Sequence, residues 1–307
     1  MLAAMNSLQR RDLLRLAATL ALPAALPARA QPAAEVLTRP IPSTGEPLPV
    51  IGLGSWITFN VGNDPVARSR CTEVMRHFFD QGGRIIDSSP MYGSSQPVIG
   101  EGIARLKPGA RLFSADKVWT SSDGARQIAQ SLRLWGVPRF DLLQVHNLLA
   151  WQQQLPLLFE MKRAGQLRYV GITTSEGRRH AEIEQIMKAQ PLDFVQVSYN
   201  ILDREVEQRI LPLARERGIA VIANRPFREG ALIRAVQRHP LPPWAAEIAC
   251  ANWAQLLLKF IVSHPVITCA SPATGNVRHV QENTGAARGR QPDAQMRRRM
   301  IEHVGKL

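Results

Sequence analysis

The stretch FDLLQVHNLLAWQQQLPLLFEMKRAGQLRYVGITT, residues 140–174, contains one full unit of the plan on which this chain is built. A compact apolar run at 140–146 gives way to a longer stretch with helical spacing at 152–164, then to a second compact run at 167–173. Runs this short and this continuously apolar suit strands covered on both faces, which belong to parallel sheets with helical crossovers. The alternation extends in both directions. Strand candidates lie at 50–55, 84–88, 112–118, 140–146, 167–173, 194–199, 220–225 and 266–270. Helix candidates lie between them at 65–81, 98–106, 124–135, 152–164, 176–189, 204–217, 245–262 and 277–287, and a last one at 293–304 closes the chain. Asp64-Pro65 and Asp123 mark helix starts, because a side-chain oxygen there can accept the unpaired N–H groups of the first turn. Gly82-Gly83, Gly136 and Gly218 mark helix ends. Eight strand–helix units in one domain predict an α/β fold, a (β/α)8 TIM barrel over residues 31–307. An open doubly wound sheet is the alternative. The Pro-rich stretch 36–48, with Thr44-Gly45, predicts a small hairpin covering the barrel floor.

The first thirty residues stand apart from this pattern. Gln9-Arg-Arg-Asp-Leu-Leu-Arg15 supplies a charged start, Leu16 to Leu26 an apolar run containing Pro23, and Ala28 and Ala30 the small residues of a cleavage site. This predicts a twin-arginine-type signal peptide over residues 1–30, use of the twin-arginine export machinery, and a periplasmic or otherwise exported location. The apolar run is too short to span a bilayer, which takes roughly 20 residues, so no stable membrane insertion is expected after cleavage.

Formal net charge is +13 over 307 residues. Four Arg and one Asp fall in residues 1–30, which leaves +10 on the rest. The basic residues are scattered. Their one cluster, Arg297-Arg298-Arg299, lies between Met296 and Met300, whose spacing predicts a buried helical stripe with a solvated basic face. Nucleic acid is therefore not an expected partner. Cys71, Cys250 and Cys269 have neither the number nor the spacing of a disulfide framework or a zinc site. A chain folded before export would fold with these thiols reduced.

In a TIM barrel the functional groups gather at the C-terminal ends of the strands. The second strand runs into Asp87, with Tyr92 on the loop beyond it. The third ends near Lys117 and the fourth in His146. Lys117 is the least easily explained by packing: the chain has six lysines against thirty-two arginines, yet places this one in an apolar strand between Phe113 and Trp119. Its burial calls for a carboxylate, and Asp87 is available. A nearby ammonium favours the phenolate form of Tyr92 and lowers a pKa that is ordinarily about 10. A neutral imidazole at His146 can hydrogen-bond a substrate oxygen. Such a site can protonate a developing alkoxide, which is half of a carbonyl reduction. The other half is a hydride, and a protein needs a cofactor for that.

Asp87-x4-Tyr92-Gly93 followed by Lys117 and His146, in that order and on those strands, resembles the aldo-keto reductase superfamily. The similarity runs from about Arg39 to Gly289. It includes Ile51-Gly-Leu-Gly-Ser55-Trp56, Gly165-Gln-Leu-Arg-Tyr-Val-Gly-Ile172, Gln196-Val-Ser-Tyr-Asn200 and Glu282-Asn283. The resemblance implies an NAD(P)H-dependent reductase of a small aldehyde or ketone. Tyr92 would be the general acid, Lys117 and Asp87 would tune it, and His146 would orient the carbonyl. It also implies NADP, with NAD possible, held by Gly54, Ser55, Trp56, Asp87, Thr173, Gln196, Arg225, Phe227, Arg228, Thr274, Arg278, His279, Glu282 and Asn283. Trp56, Phe59, Met91, Trp119, His146 and Asn147 would line the substrate mouth.

The chain departs from the family's pattern at several of these positions. Thr173-Thr174 stands where relatives carry Ser-Asn. Asn224 stands where an aromatic often stacks on the nicotinamide, and Ala273 replaces a common lysine. NADPH discrimination would then rest on Arg278, His279 and a helix N-terminus. Gly52-x-Gly54 is not a dinucleotide fingerprint, because the third glycine is missing and no helix follows at once. A non-catalytic nucleotide-binding or sensing module on the same fold remains the alternative. A metal-dependent hydrolase is disfavoured, since the first strand has no histidine and the others lack ligand spacing, so no metal is expected.

Overall fold

The computed structural model describes residues 35–307. The signal expected over residues 1–30 lies outside them. Ten strands and ten α-helices follow in order. A hairpin of β1 (Thr38–Pro40) and β2 (Pro47–Pro49) precedes β3 (Leu53–Gly54), α1 (Pro65–Asp80), β4 (Ile85–Asp87), α2 (Ser95–Leu106), β5 (Phe113–Val118), α3 (Gly124–Trp135), β6 (Phe140–His146) and α4 (Trp151–Arg163). Then come β7 (Leu167–Thr173), α5 (His180–Ala189), β8 (Phe194–Ser198), α6 (Ile210–Arg217), β9 (Ala220–Asn224), α7 (Ala231–Val236), α8 (Trp253–Val262), β10 (Ile267–Ala270), α9 (Val277–Gly285) and α10 (Ala294–Val304). Strands β3 to β10 lie side by side in chain order, all parallel. The sheet closes where Ile51 bridges Ala270 and Gly54 bridges Ala273. Gly52 N–H donates to Ala270 O at 2.8 Å across that seam. This is the expected barrel, and the open sheet is excluded.

The helices start and pack for the reasons legible in their residues. The Asp64 carboxylate accepts Val66 N–H at 2.9 Å and Ala67 N–H at 3.2 Å, which caps α1. Cys71, Val74, Met75 and Phe78 then bury one face at i, i+3, i+4 and i+7 spacing. Asp123 caps α3 through Arg126 N–H, and Gly136 ends that helix in the left-handed region.

Side chains at every second strand position point into the barrel. Ile85, Phe113, Ala115, Leu142, Tyr169, Phe194, Ala220, Ile222 and Cys269 form one buried cluster with Ile41 and Leu48 of the hairpin region, which closes the floor. Phe113 stacks on Tyr169 at 5.8 Å, and Tyr169 meets Phe194 edge-on at 5.5 Å. This apolar layer sets the height of the next one. Continuing the same inward series upward reaches Asp87, Lys117, Gln144, His146, Thr173, Gln196 and Asn224.

Several elements differ from expectation. The first barrel strand is only Leu53–Gly54, with an isolated bridge at Ile51. A Cβ on Gly52 would lie 2.5 Å from Ile85 Cγ2, so this segment threads between its neighbours rather than pairing along its whole length. The expected helix 245–262 is a 3-10 turn, Pro243–Ile248, then a left-handed Ala249, then α8 capped by Asn252. The stretch 204–217 is likewise a 3-10 turn followed by α6. Helix α5 begins only at His180, after Glu176, Gly177 and Arg179 adopt positive φ. Helix α7 forms where no helix was expected. Met300 is buried as predicted, but Arg297 is not on a solvated face. It donates to Phe260 O, to Ser263 Oγ at 2.8 Å and to the Tyr199 hydroxyl at 2.7 Å. All three cysteines are free and buried. Among the described residues, no helix is long and apolar enough to cross a membrane. No group of three or more His, Cys, Asp or Glu side chains there is placed to hold a metal ion.

Candidate active site

The inward series ends in a polar rim because the apolar layer beneath it fills the barrel. Asp87 is the last residue of β4, and Lys117 lies on β5 two residues beyond Ala115, the register partner of Asp87. Lys117 Nζ donates to both Asp87 carboxylate oxygens, at 2.9 and 2.8 Å, and to Ser88 O at 2.7 Å. Lys117 is 1% exposed and Asp87 5%, so this is a buried ion pair. Gln196 Nε2 and Gln144 Nε2 add donors to Asp87 Oδ1 at 3.2 and 3.4 Å. Thr173 Oγ1 donates to Gln196 Oε1 at 3.0 Å, which fixes that amide. Gly171 makes room in this layer: a Cβ there would lie 2.8 Å from Phe194 O and 3.2 Å from Gln144 Cγ.

Tyr92 sits in the turn between β4 and α2, where its N–H donates to Ser89 O at 2.9 Å and its own carbonyl accepts Ser95 N–H at 3.1 Å. Its ring packs 4.9 Å from Trp56 and 5.7 Å from His146. Lys117 Nζ lies 5.2 Å from the ring centroid. The pKa does not follow the simple expectation of an ammonium that lowers it. Burial pushes the phenol upward, the Lys117 charge opposes this, Asp87 and Asp116 reinforce it, and the balance is a raised pKa. The phenol therefore keeps its proton, as a donor should. Burial alone would lower Lys117, but Asp87, Tyr92 and Asp116 hold it above its ordinary value, so it stays charged.

His146 is pushed down to about 3, first by burial and then by the Lys117 charge, so its ring is neutral. Ser89 Oγ and His146 Nδ1 are 2.7 Å apart, and Met91 N–H donates to the same hydroxyl oxygen at 3.2 Å. With Met91 N–H on its oxygen, the hydroxyl can donate a hydrogen bond to Nδ1, the arrangement that places the imidazole proton on Nε2. Ser89 is a functional candidate that was missed. Nothing marks it in sequence except its place two residues beyond Asp87.

Tyr92, His146 and Asp87 open onto a cleft of about 480 Å³. Of the residues expected to hold a cofactor, Gly54, Ser55, Trp56, Asp87, Thr173, Gln196, Arg225, Phe227, Thr274, His279, Glu282 and Asn283 line it. Arg228 does not. It is tied to Asp203 by two hydrogen bonds, one at 2.8 Å, and so turned from the cleft. Arg278 is also outside the lining, largely exposed and paired with Glu282 at 2.9 Å. Of the expected substrate contacts, Trp56, Met91, His146 and Asn147 line the cleft. Phe59 is fully buried in the core instead, and Trp119 is 40% exposed outside the lining. Lys117 lies behind the cleft wall. Arg225 reaches the cleft but is bound by Glu229 at 2.5 Å and Glu176 at 3.1 Å, which ties the loops after β7 and β9 together. Asn224 donates to Thr174 O at 2.9 Å and accepts from Ser198 Oγ at 2.8 Å, so this wall is an amide network rather than an aromatic face.

Residues 50–301 match the aldo/keto reductase family. The chain belongs to that family. Methylglyoxal reductase YeaE of Escherichia coli is 24% identical over 245 residues, 77% of this chain and 84% of that protein. NADH-specific methylglyoxal reductase, also of Escherichia coli, is 26% identical over 66% of this chain and 71% of its own. Among solved structures, an aldo-keto reductase from Klebsiella pneumoniae in complex with NADPH superposes with a TM-score of 0.74 at 22% identity, covering 88% of this chain and 96% of that one.

The family implies a nicotinamide dinucleotide, and the cleft suits one. Two buried hydroxyl oxygens on its wall, Thr174 Oγ1 and Ser271 Oγ, lack a protein partner. Buried polar groups are ordinarily satisfied, so these can serve a ligand. At Gly54 a Cβ would stand 3.1 Å from Ser271 O, so a side chain there would crowd this wall. Tyr92, Gln196, Ser271 and Asn283 all line this one cleft.

Proposed function

We propose that this protein is an NAD(P)H-dependent oxidoreductase that reduces the carbonyl of a small aldehyde or ketone. The observation that carries the reading is the buried Lys117–Asp87 pair directly behind Tyr92, at the inner end of the cleft. Gln196, Thr173, Thr174 and Ser271 would hold the nicotinamide end. Thr274, His279, Glu282 and Asn283 would hold the adenosine end. When bound, the cofactor supplies a hydride to the carbonyl carbon. Tyr92 gives its phenolic proton to the carbonyl oxygen as negative charge develops there, and solvent later returns it. Lys117 stabilises the transient phenolate, and Asp87 holds Lys117 in place and charged. His146 donates from Nε2 to the same carbonyl oxygen and orients it. Trp56 and Met91 shape an apolar mouth, and Asn147 adds a polar group.

Support for a small dicarbonyl or aldehyde substrate comes from the two relatives named as methylglyoxal reductases. The test is carbonyl-dependent oxidation of NADPH and NADH by the purified protein, with methylglyoxal and an aromatic aldehyde as substrates. Tighter binding of NADPH than NADH is expected, through His279 and the first turn of α9. Absence of oxidation with both cofactors and both substrates overturns the reading.

The proposal extends to export by the twin-arginine route, on the strength of Arg10-Arg11 and Ala28-Arg29-Ala30. Arg10→Lys with Arg11→Lys is expected to retain the protein in the cytoplasm with residues 1–30 uncleaved. Unchanged distribution between cell fractions contradicts it.

A further inference from the structure

Lys117 is flanked by two carboxylates, and the function above uses only one. Asp116 precedes it on β5 and, by strand alternation, points out of the barrel where Lys117 points in. Asp116 is 0% exposed. Its Oδ2 accepts Gln96 Nε2 of α2 at 2.6 Å, and that amide nitrogen also donates to Ser131 Oγ of α3 at 2.8 Å. Its Oδ1 has no partner in the protein. One neutral side-chain donor is a thin shell for a buried carboxylate. The titratable groups acting on it are Lys117 on its own strand, Asp87 on β4 and Tyr92 on the loop beyond. The two helices that cover it present the uncharged Gln96 and Ser131.

Resting on the reductase reading, we infer that Asp116 is a positioning residue for the Tyr92 proton: its uncompensated negative charge behind Lys117 disfavours the phenolate and keeps the donor loaded. The charge balance gives the reason. Asp87 and Lys117 neutralise each other through a two-oxygen contact. An ionised Asp116 therefore leaves the buried group of three with a net charge of −1. Burial pushes the Asp116 carboxyl up to about 7, against the pull of Lys117. It is thus charged throughout the alkaline range in which a phenol titrates. Gln96 lies in the first turn of α2, just after the Tyr92 turn, so the Asp116–Gln96 bond also ties the Lys117 strand to the helix that follows Tyr92.

The experiment uses the full chain and the Asp116→Asn variant, which preserves shape and removes the charge. The titration of Tyr92 is read from the ultraviolet tyrosinate difference spectrum, with Tyr92→Phe as reference, and the alkaline limb of kcat is read beside it. Loss of a neighbouring like charge is expected to lower the Tyr92 midpoint by about one pH unit, and the alkaline limb with it. A midpoint within about 0.2 units of wild type in folded Asp116→Asn overturns the proposal. If Asp116→Asn does not fold, Asp116→Thr removes the same charge with a side chain suited to a strand and keeps an oxygen to accept Gln96 Nε2. The same downward shift supports the proposal, and an unmoved midpoint overturns it. A wild type without carbonyl-dependent turnover counts against the reductase reading alone, because the Tyr92 midpoint is still measured and still decides the role of Asp116.

Discussion

Replacing Lys117 by Met removes the ammonium and keeps a side chain of similar length. The structure then leaves Asp87 Oδ2 without its 2.8 Å partner, Oδ1 with only the longer contacts from Gln196 and Gln144, and Ser88 O without its 2.7 Å donor. Two unit charges at that separation attract by about 6 kcal/mol at an effective dielectric of about 20. Desolvation of both ions offsets much of this in the intact protein. Removing one partner leaves the other charge buried, and a net loss of about 3–5 kcal/mol is expected. Urea unfolding followed by circular dichroism measures it. Asp87→Asn in the same chain should restore part of the loss, because no uncompensated charge then remains. Turnover should fall by roughly 10²–10⁴, since Tyr92 gives up its proton with no cation to receive the charge. A loss below about 1 kcal/mol, or a double variant no more stable than Lys117→Met, would refute the claim that the pair is a coupled buried unit.

Other expectations follow from the same geometry. His146 carries a depressed pKa, so the unfolded chain binds its proton more readily than the folded one. Its stabilising contribution is complete above about 6.5 and is lost as pH falls from there toward about 3. His146→Gln should flatten the pH dependence of stability in that window, and an unchanged slope would place the ring elsewhere than in a buried neutral site. Gly171→Ala should cost about 1–3 kcal/mol by urea unfolding, because its Cβ meets Phe194 O at 2.8 Å; a neutral result would mean the layer is looser than described. Arg228→Ala should change stability by at most about 1 kcal/mol, since the pair with Asp203 is part-exposed, and cofactor affinity by less than about twofold. A tenfold loss of cofactor affinity would return Arg228 to the cleft.

Strands β6 and β7 coincide with the runs at 140–146 and 167–173 because each is an apolar or β-branched series bounded by clear turn residues. The polar rim was legible for the same reason: period two carries Asp87, Lys117 and His146 to the open end once the strands are placed. Local sequence could not show the break at Ala249, where an ordinary residue adopts a left-handed conformation without a glycine to announce it. Nor could it orient the loop side chains. Phe59 lies in the core and Trp119 outside the cleft, although both are aromatics close to strand ends. Arg228 was lost to Asp203, a partner 25 residues away that only the fold brings near. Ser89 and Asp116 went unremarked because each acts through a neighbour made by tertiary packing. The Tyr92 pKa shows the same limit in electrostatics: the ammonium was foreseeable from the strand pattern, but the greater effect of burial was not.

The most direct test is Tyr92→Phe, assayed for carbonyl-dependent oxidation of NADPH alongside its affinity for the same cofactor. The account predicts turnover reduced by about 10³ or more with cofactor binding unchanged within about twofold. Turnover close to that of the wild type would contradict it.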